Sequence, residues 1–438
     1  GAGRRARVMK LRRAAIYIAI AAALALILVF ALSAIAMSSC AVSGDISRYG
    51  VVDYMKNITP AQQTPETLDS TFRDAYADFA LRLYGEVKKE KNTLISPLSV
   101  MLALAMTANG ADGATLEGME KALGGIKIDK LNAYLKSYVD SLPSGDSFKM
   151  SIANSIWFRK DAFEPSEDFL QKVCDFYSPD IYGAPFDSST VNAINSWVNG
   201  KTDGMIKKML EEIDYESVMF LINAICFDCK WESKFNPTDT QKNALFRGSE
   251  GTVSCDLMTS KENTYIKGEG VTGFIKKYRG GKYAFAAFLP DNSSITPDEW
   301  LAGMSGDRLV SLLESSTNGR LLCRMPKFGY EYACNMNDAL KTLGMEEAFD
   351  SHNARFGSLG KNIRDGSNVC IGKVTHKTFI KLDEEGTKAA AATMVDMTAE
   401  SAEMPPEIQI ILDRPFAYAI IDTATNLPIF IGTVNTID

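Results

Sequence analysis

The segment from Glu384 to Ser401, EEGTKAAAATMVDMTAES, constrains the fold more than any other stretch of the chain. Four consecutive alanines favour a helix, because alanine has the highest helix propensity, but Gly386 precedes them and Pro405-Pro406 follow soon after. With the two-residue period of a strand, one face from Thr387 to Ala399 carries no charge, and the other face carries all the charges. The segment could therefore be a half-buried strand, yet it is bounded like an exposed loop.

The first forty residues form a membrane-targeting segment. Six basic residues precede an uncharged, mostly apolar run at 14–44, which is typical of an export signal. Ala34-Ile35-Ala36 fits a signal-peptidase site, whereas Met37-Ser38-Ser39-Cys40 resembles a bacterial lipoprotein box in which Cys40 is lipidated. The run is also long enough to remain as a membrane-spanning anchor. All three alternatives export the chain, to a bacterial cell surface or the medium, and we favour the lipoprotein.

The exported part is acidic and large enough for a substantial core. Without the six basic residues of the targeting segment, 41 Lys and Arg remain against 54 Asp and Glu, a net charge of −13. With no basic cluster longer than Lys88-Lys89, such a chain is a poor nucleic-acid binder. Residues 40–65 are polar with little periodicity, so we expect a tether there, between a targeting segment at 1–39 and one folded domain at 66–438.

Eight cysteines are present, and the spacing of two of them is that of a metal site. Cys226 and Cys229 form a CxxC pair within FLINAICFDCKW, an apolar run that predicts a buried strand. Residues three apart on a strand point to opposite faces, so one metal ion could not easily use both thiols. We expect structural cysteines, no metal and no cofactor. An exported chain also permits disulfides, whose pattern stays open.

The two histidines argue against an enzyme. A Ser-His-Asp or Cys-His hydrolase needs a histidine as its base, and only His352 and His376 are available. His376 lies in IGKVTHKTFIKLDEEG, an alternating strand pattern, where a hydrogen-bonded structural histidine is expected rather than an accessible base. No GxSxG, HExxH, Walker or GxGxxG motif occurs.

The order of the patterns predicts one α+β domain. Ser70–Glu90 opens with a serine suited to capping and has amphipathic helical spacing, and two further helical patterns follow. Apolar strand patterns dominate afterwards, and the chain closes with two strand runs joined at 423–426. Helices first and strands later are typical of α+β folds.

Several of these segments, taken in chain order, resemble the serpins, serine-protease inhibitors that trap their targets by changing shape. The resemblance covers nearly all of the exported domain and implies helices around a large central mixed β-sheet, two smaller sheets and an exposed reactive-centre loop at about 384–406. Ala417 departs from the bulkier residue usual in the family, and we expect only a local packing difference. The segments that carry the resemblance are NTLISPLSVMLALAM, LINAICFDCKWESKF, VTHKTFIKLDEEGT, MPKF, LKTLGM and DRPFAYAIIDTATNLPIFIGTV.

The resemblance assigns roles to five residues of the domain core. Ser96, Ser99, Asn223 and His376 match the family's shutter, the polar residues that gate the opening of the main sheet, and Trp231 matches the tryptophan of the breach, the upper end of that sheet. The four shutter residues are polar in strongly apolar surroundings, so they should be hydrogen-bonded to one another or to backbone. Trp231 is expected to be a core residue rather than a contact residue.

The resemblance also explains the opening segment. The loop of a serpin is exposed until a protease cuts it, after which it enters the main sheet as a new strand. A strand that inserts must not bury unpaired charge, and the uncharged face from Thr387 meets this condition. Glycine at 386 would allow the backbone to hinge there. The expected hinge residues are Glu384, Glu385, Gly386, Thr387, Ala389, Ala390, Ala391 and Ala392.

Counting along the loop predicts the bond that is cut. In the family it follows the seventeenth residue counted from the position of Glu384, which gives the bond between Glu400 and Ser401. A glutamyl-specific protease would cut there, and an elastase-like one at the alternates Met397, Thr398 or Ala399. No Lys or Arg occurs between Lys388 and Arg414, so trypsin should be ignored.

Two function classes remain. The first is an inhibitory serpin, a monomer that is not an enzyme and forms a covalent complex with serine proteases. The second is a non-inhibitory serpin that acts as a binding or chaperone-like module. Such members tend to carry charged, bulky or Pro residues on the inserting face, and none occurs there between Thr387 and Ala399. The pattern favours inhibition.

Overall fold

The computed structural model describes residues 46–87, 89–142, 148–214, 217–387 and 408–437. Cys40, most of the reactive-centre loop and the predicted reactive bond lie outside these residues. Within them no helix is long and apolar enough to cross a membrane.

The helices are concentrated in the first half, as the sequence predicts. The first begins one residue after its cap, which is Asp69 and not Ser70, because the Asp69 side chain accepts from the backbone N–H of Phe72. In the described residues the α-helices are α1 (Ser70–Glu86), α2 (Pro97–Ala108), α3 (Gly113–Ala122), α4 (Ile128–Ser141), α5 (Glu167–Tyr177), α6 (Ser188–Lys201), α7 (Pro297–Ala302), α8 (Gly306–Glu314) and α9 (Asn337–Leu340).

Most of the strands in the described residues lie in the second half. In chain order the strands are β1 (Val52–Asp53), β2 (Asn92–Ile95), β3 (Phe148–Arg159), β4 (Phe163–Pro165), β5 (Asp180–Ala184), β6 (Met219–Lys230), β7 (Gln241–Gly248), β8 (Gly251–Gly268), β9 (Val271–Lys277), β10 (Tyr283–Pro290), β11 (Thr317–Pro326), β12 (Phe328–Asn335), β13 (Gly360–Asn362), β14 (Lys373–Leu382), β15 (Gly386–Thr387), β16 (Ile408–Ile411), β17 (Phe416–Asp422) and β18 (Pro428–Val434). The α+β class predicted from the sequence is confirmed.

Two large sheets organise the domain. The first has the order β1-β5-β3-β6-β15-β14-β12 and is the main sheet; the second has nine strands, with β16-β11-β8-β9-β10-β17-β18-β2 in order and β7 paired to β8. The predicted terminal strand pair is present as β17 and β18, which are antiparallel. Ala417 is fully buried in β17 beside Phe288 of β10 and leaves the pairing intact.

Two hydrophobic clusters lie against the main sheet. Strand residues of β6 alternate between them: Cys229 belongs to the larger cluster, with α1, α2 and the second sheet, and Cys226 belongs to a smaller cluster around Trp197 of α6. The prediction that these cysteines point to opposite faces is therefore confirmed. Burial raises the pKa of the Cys229 thiol to about 12, so the thiol is protonated at neutral pH.

The N-terminal residues of the described chain are part of the domain. The compact unit begins at Ile46, whose side chain is buried in the cluster around α6, and β1 extends the main sheet by pairing with β5. Further along, the backbone N–H of Ala61 donates to the Asp175 carboxylate of α5 (2.8 Å). The tether predicted at 40–65 thus needs correction over 46–65, because its few apolar side chains are enough to fasten it to the domain.

Candidate functional site

The candidate site is the junction between β6 and β14, at the centre of the main sheet. These two strands pair directly and in parallel from Lys373 opposite Phe220 to Phe379 opposite Cys226. Above this level they separate, and the two-residue strand β15 lies between them. The site therefore has a closed lower part, which contains the predicted shutter residues, and an opened upper part, which is the predicted breach.

The lower part is held by a row of polar side chains across three strands. Asn154 of β3 lies directly opposite Asn223 of β6, which lies directly opposite His376 of β14. Ser96, the N-cap of α2, and Ser99 in its first turn lie beside this row. We call Ser96, Ser99, Asn154, Asn223 and His376 the shutter cluster.

The shutter cluster is closed by hydrogen bonds. The Asn223 side-chain amide donates to the Ser99 hydroxyl and to Asn154 Oδ1, and the Asn154 side-chain amide donates to the backbone carbonyl of Ser99 (3.1 Å). Ser99 in turn donates from its hydroxyl to the Asn154 side chain (3.1 Å) and from its backbone N–H to Ser96 Oγ (3.3 Å). The hydrogen bonding expected of these buried polar groups is present; their gating role stays a prediction.

His376 is neutral and fully buried. Its Nε2 accepts from the backbone N–H of Ser96 (3.2 Å), so its Nδ1 carries the proton and donates to Asn223 Oδ1. Burial lowers the pKa of His376 to about 3, which leaves the ring uncharged at any pH near neutrality. A buried, uncharged imidazole with both nitrogens occupied is a structural histidine, as the sequence predicts, and is unsuited to act as a general base.

Asn154 is the functional residue that sequence reasoning missed. It is only half-buried and stands in an alternating strand run, KMSIANSIWF, where a polar residue on either face is unremarkable. A signal was available, since a second asparagine lies in the predicted neighbouring strand, but pairing the two requires the strand register. Register is a tertiary property that no local pattern supplies.

In the upper part, the base of the loop is fixed by Trp231 and Phe235. The backbone N–H groups of these residues donate to the carbonyls of Glu385 (3.0 Å) and Glu384 (3.1 Å), respectively. The Trp231 indole N–H also donates to the carbonyl of Asp383 (2.9 Å). Trp231 is completely buried, so its prediction as a core residue is confirmed.

Ion pairs hold the two glutamates at the start of the hinge. Lys327 pairs with Glu384 (2.6 Å) and Lys234 with Glu385 (2.5 Å). Burial, the largest single influence, raises the pKa of Glu384, but the hydrogen bond and charge of Lys327, together with hydrogen bonds from the backbone and Thr240, hold this pKa below its ordinary value. Partial burial lowers the pKa of Lys327, but Glu384 and Asp256 together raise it above its ordinary value. The loop base is thus clamped by charge at neutral pH.

Gly386 and Thr387 already occupy the sheet. Thr387 lies opposite both Leu382 of β14 and Cys229 of β6. It is 1% exposed, and its hydroxyl hydrogen-bonds the hydroxyl of Tyr278 at 2.6 Å. The parity predicted for Thr387, on the face that must be buried, therefore holds at this residue.

The hinge role of Gly386 stays a prediction, and the structure adds a separate reason for glycine at this position. Its φ is not in the left-handed region, so no special bend requires glycine. A Cβ at this position would lie 2.2 Å from the carbonyl oxygen of Cys229, a distance that real contacts do not reach. Glycine is required because the loop enters the sheet against the β6 backbone. The hinge residues Ala389, Ala390, Ala391 and Ala392 lie outside the described residues, as do Met397, Thr398, Ala399, Glu400 and Ser401.

Comparison with known proteins gives consistent results. Residues 74–437 match the family model described as Serpin (serine protease inhibitor). The chain is 29% identical to human alpha-1-antichymotrypsin over 394 residues, which covers 86% of this chain and 91% of the relative. The crystal structure of a thermophilic serpin, Tengpin, in the native state is 45% identical, with a TM-score of 0.84 and coverage of 88% of this chain and all of that one. Human thyroxine-binding globulin complexed with thyroxine shares the fold, with a TM-score of 0.74 at 24% identity over 83% of this chain and 98% of that one.

Proposed function

The chain belongs to the serpin family, and on that premise we propose that it is an inhibitory member, a suicide substrate that traps serine proteases as acyl-enzymes. Members of the family are typically protease inhibitors rather than enzymes. The observation that carries the proposal is β15, because its two residues are the start of a strand between β6 and β14 before any cut has been made.

The register of β15 predicts where every further loop residue would go. Thr387 faces Leu382 and Cys229, and Gly386 faces Lys230. Continued in the same antiparallel register, Thr393 would come to lie between His376 and Asn223, which now face each other directly. Met397 would reach the level of Met219, the first residue of β6. The loop is therefore long enough to fill the whole junction.

The two faces of the inserted strand would suit their surroundings. The uncharged residues at 389, 391, 393 and 395 would lie level with Phe227, Ile225, Asn223 and Leu221, all of them buried. The charged residues would point the other way, with Lys388 opposite Asp228 and Asp396 opposite Lys373. Insertion would thus bury apolar area and add backbone hydrogen bonds without burying an unpaired charge.

Trapping follows from competition between insertion and hydrolysis. The protease serine would attack the carbonyl carbon of residue 400, forming an ester to that residue and releasing the amine of Ser401 as a new N-terminus. Water would normally hydrolyse the ester. If the freed loop inserts first, the attached protease is carried to the far end of the main sheet and its active site is distorted. This chain supplies the substrate bond and the sheet, and no catalytic group.

The loop sequence supports a narrow set of targets. Glu400 before the proposed bond suits a glutamyl-specific protease, and Met397, Thr398 and Ala399 suit an elastase-like one. We also propose that the protein is exported as a monomer to a bacterial cell surface, held by a lipid on Cys40 or by a retained N-terminal helix. The basic and apolar residues of the targeting segment support this location.

The test is to mix the protein with a glutamyl-specific protease, an elastase and trypsin, and to look for complexes that survive boiling in SDS. We expect complexes with the first two enzymes and none with trypsin. Mass spectrometry of the released C-terminal peptide should give a new N-terminus at Ser401, or at Ala399 or Glu400 for the elastase. Cuts only outside 396–404 would contradict the proposed bond.

The alternative is a non-inhibitory binding or chaperone-like serpin. Thyroxine-binding globulin, complexed with thyroxine, has the same fold, so the fold alone does not decide. A protein that is cut within the loop but never retains the protease would belong to this second class.

A further inference from the structure

A buried ion pair lies directly behind the breach. Lys276 of β9 is 1% exposed, and its Nζ donates to Glu262 Oε1 of β8 at 2.7 Å. The side chain of Glu262 is only 11% exposed. A buried pair of this kind is generally no more stable than an apolar pair of similar volume, because both ions lose their hydration. General stability of the core therefore does not explain it.

The ammonium group of Lys276 lies against two aromatic rings. Its Nζ is 4.4 Å from the ring centroid of Phe235 and 5.5 Å from that of Trp231, which are cation–π distances. These are the two residues whose backbone N–H groups hold the carbonyls of Glu384 and Glu385. The cation thus contacts the side chains of both residues that fasten the loop base.

Further contacts connect Trp231 to Thr387 of β15. The Trp231 ring stacks on Tyr278, with centroids 4.4 Å apart and planes within 9°. Tyr278 then hydrogen-bonds Thr387. Contacts therefore run without interruption from Lys276 through Trp231 and Tyr278 to Thr387.

We propose that Lys276, paired with Glu262, is a positioning residue for loop insertion: it holds Trp231 and Phe235 in the orientation that keeps Gly386 and Thr387 inside the main sheet before cleavage. The proposal rests on the proposed inhibitory function for its consequence, since a hinge already in place shortens the path to full insertion. Its structural part stands independently, because the position of the hinge can be measured without a protease.

The first experiment measures hydrogen exchange in the uncut protein carrying Lys276→Met. Without the cation, amide exchange over Asp383–Thr387 should be faster, by roughly tenfold for a desolvated cation–π contact, while exchange in β17 and β18 stays unchanged. Lys172→Met is the matched control, because Lys172 forms an exposed ion pair with Asp129 on the surface. Unchanged exchange at 383–387 in a folded Lys276→Met protein would overturn the proposal.

A second variant covers the case in which an unpaired Glu262 unfolds the protein. Lys276→Met combined with Glu262→Met removes both charges at similar volume, which is commonly tolerated in cores. If exchange at 383–387 is fast in this folded double variant, the charge itself positions the hinge. If exchange returns to that of the parent, packing alone suffices and the proposal fails.

The consequence for inhibition is measured by titration against a trapped protease. Lys276→Met, or the double variant where the single one does not fold, should need several times more inhibitor per protease, because more molecules are hydrolysed before they insert. A parent protein that traps no protease would refute the proposed function and leave the exchange result to decide the role of Lys276. A parent that traps, with variants of the same stoichiometry, would refute the role of Lys276 in insertion.

Discussion

The lower and upper parts of the β6–β14 junction hold the same two strands by different means. Below, the strands touch, and the shutter cluster joins them through uncharged hydrogen bonds among buried groups. Above, they are apart, and ion pairs of Lys327 and Lys234 hold a loop base that has already entered. The upper part is prepared for a new strand, whereas the lower part must be broken to admit one.

The difference locates the barrier to insertion. At the breach, two residues have been placed, and the next residues on the face to be buried, Ala389 and Ala391, are small, so little has to move. At the shutter, Thr393 would have to separate Asn223 from His376, and buried hydrogen bonds must be exchanged for new ones. The barrier that the proposed inhibition requires should therefore lie mainly in the lower part.

The largest expected effect is a rise of the thermal midpoint when the loop inserts along the whole β6–β14 junction. A single nick in the loop should raise the thermal midpoint on the order of tens of degrees, well beyond the few degrees that about 1 kcal/mol produces in a domain of this size. Differential scanning calorimetry of nicked and intact protein checks this. Equal midpoints after a nick confirmed by mass would remove the inhibitory proposal.

The next largest effect is expected from a variant that disrupts the upper part of the junction. Thr387→Arg would place a charge on a buried position beside Tyr278, at a cost of several kcal/mol, so the protein should still be cut but should form no SDS-resistant complex. Lys388→Arg is the matched control, since the inserted register turns residue 388 toward solvent, and it should trap like the parent. Equal trapping by both variants would show that the assignment of the two faces is wrong.

A smaller effect is expected from a variant that disrupts the lower part of the junction. Asn223→Ala removes the partner of His376 Nδ1 and two bonds to Ser99 and Asn154, so the free energy of unfolding should fall by about 3 kcal/mol, as for unsatisfied buried polar groups. Urea unfolding of the uncut protein measures it. Asn353→Ala, at an exposed position, is the control and should change the free energy of unfolding little. A similar loss in both variants would contradict a special role of the shutter cluster in stability.

The smallest expected effect is a pH dependence of stability that distinguishes the lower part of the junction from the upper part. His376 has a pKa of about 3 when folded, against about 6.5 when unfolded, so the unfolded chain binds the proton first and stability falls as pH drops below 6.5. Between pH 7 and 5.5 the loss should be about 1 kcal/mol. The Glu384–Lys327 pair does not contribute there, because its effect is lost only as pH falls below about 4.5.

Two variants test whether His376 causes this change of the unfolding free energy with pH. His376→Gln should abolish the change in unfolding free energy between pH 7 and 5.5, and His352→Gln, at an exposed position, should keep it. A slope that survives His376→Gln would mean that other groups titrate in this range.

How far the sequence predicts the molecule depends on whether a feature is local or a matter of register. Alternation and helical spacing were enough for the α+β class and for the opposed directions of Cys226 and Cys229. The resemblance named the shutter serines, Asn223 and His376, and burial of polar types predicted their hydrogen bonds. Asn154 was missed because its role exists only opposite Asn223, across a strand pairing of distant segments.

Other features depended on long-range contacts in the same way. The packing of 46–65 was missed because the segment has little periodicity of its own and is fastened by residues more than a hundred positions away. The steric need for glycine at 386 was not foreseen, since only the structure shows how closely the β6 backbone approaches. The ion pair behind the breach was not foreseen, because Lys276 stands next to Lys277 in a strand pattern that predicts neither as buried.

The pairing of β18 with β2 has a consequence for how the chain is made. Val434 lies opposite Asn92, so a strand from the beginning of the domain closes the second sheet only with one from its very end. At about 5–20 residues per second, ribosomal synthesis takes roughly 17–70 seconds to proceed from Asn92 to Val434. During that interval the second sheet cannot be completed, and β2 lacks its strand partner. The emerging polypeptide therefore stays open to holding chaperones during that interval, and the second sheet can close only after residues 428–434 have been made.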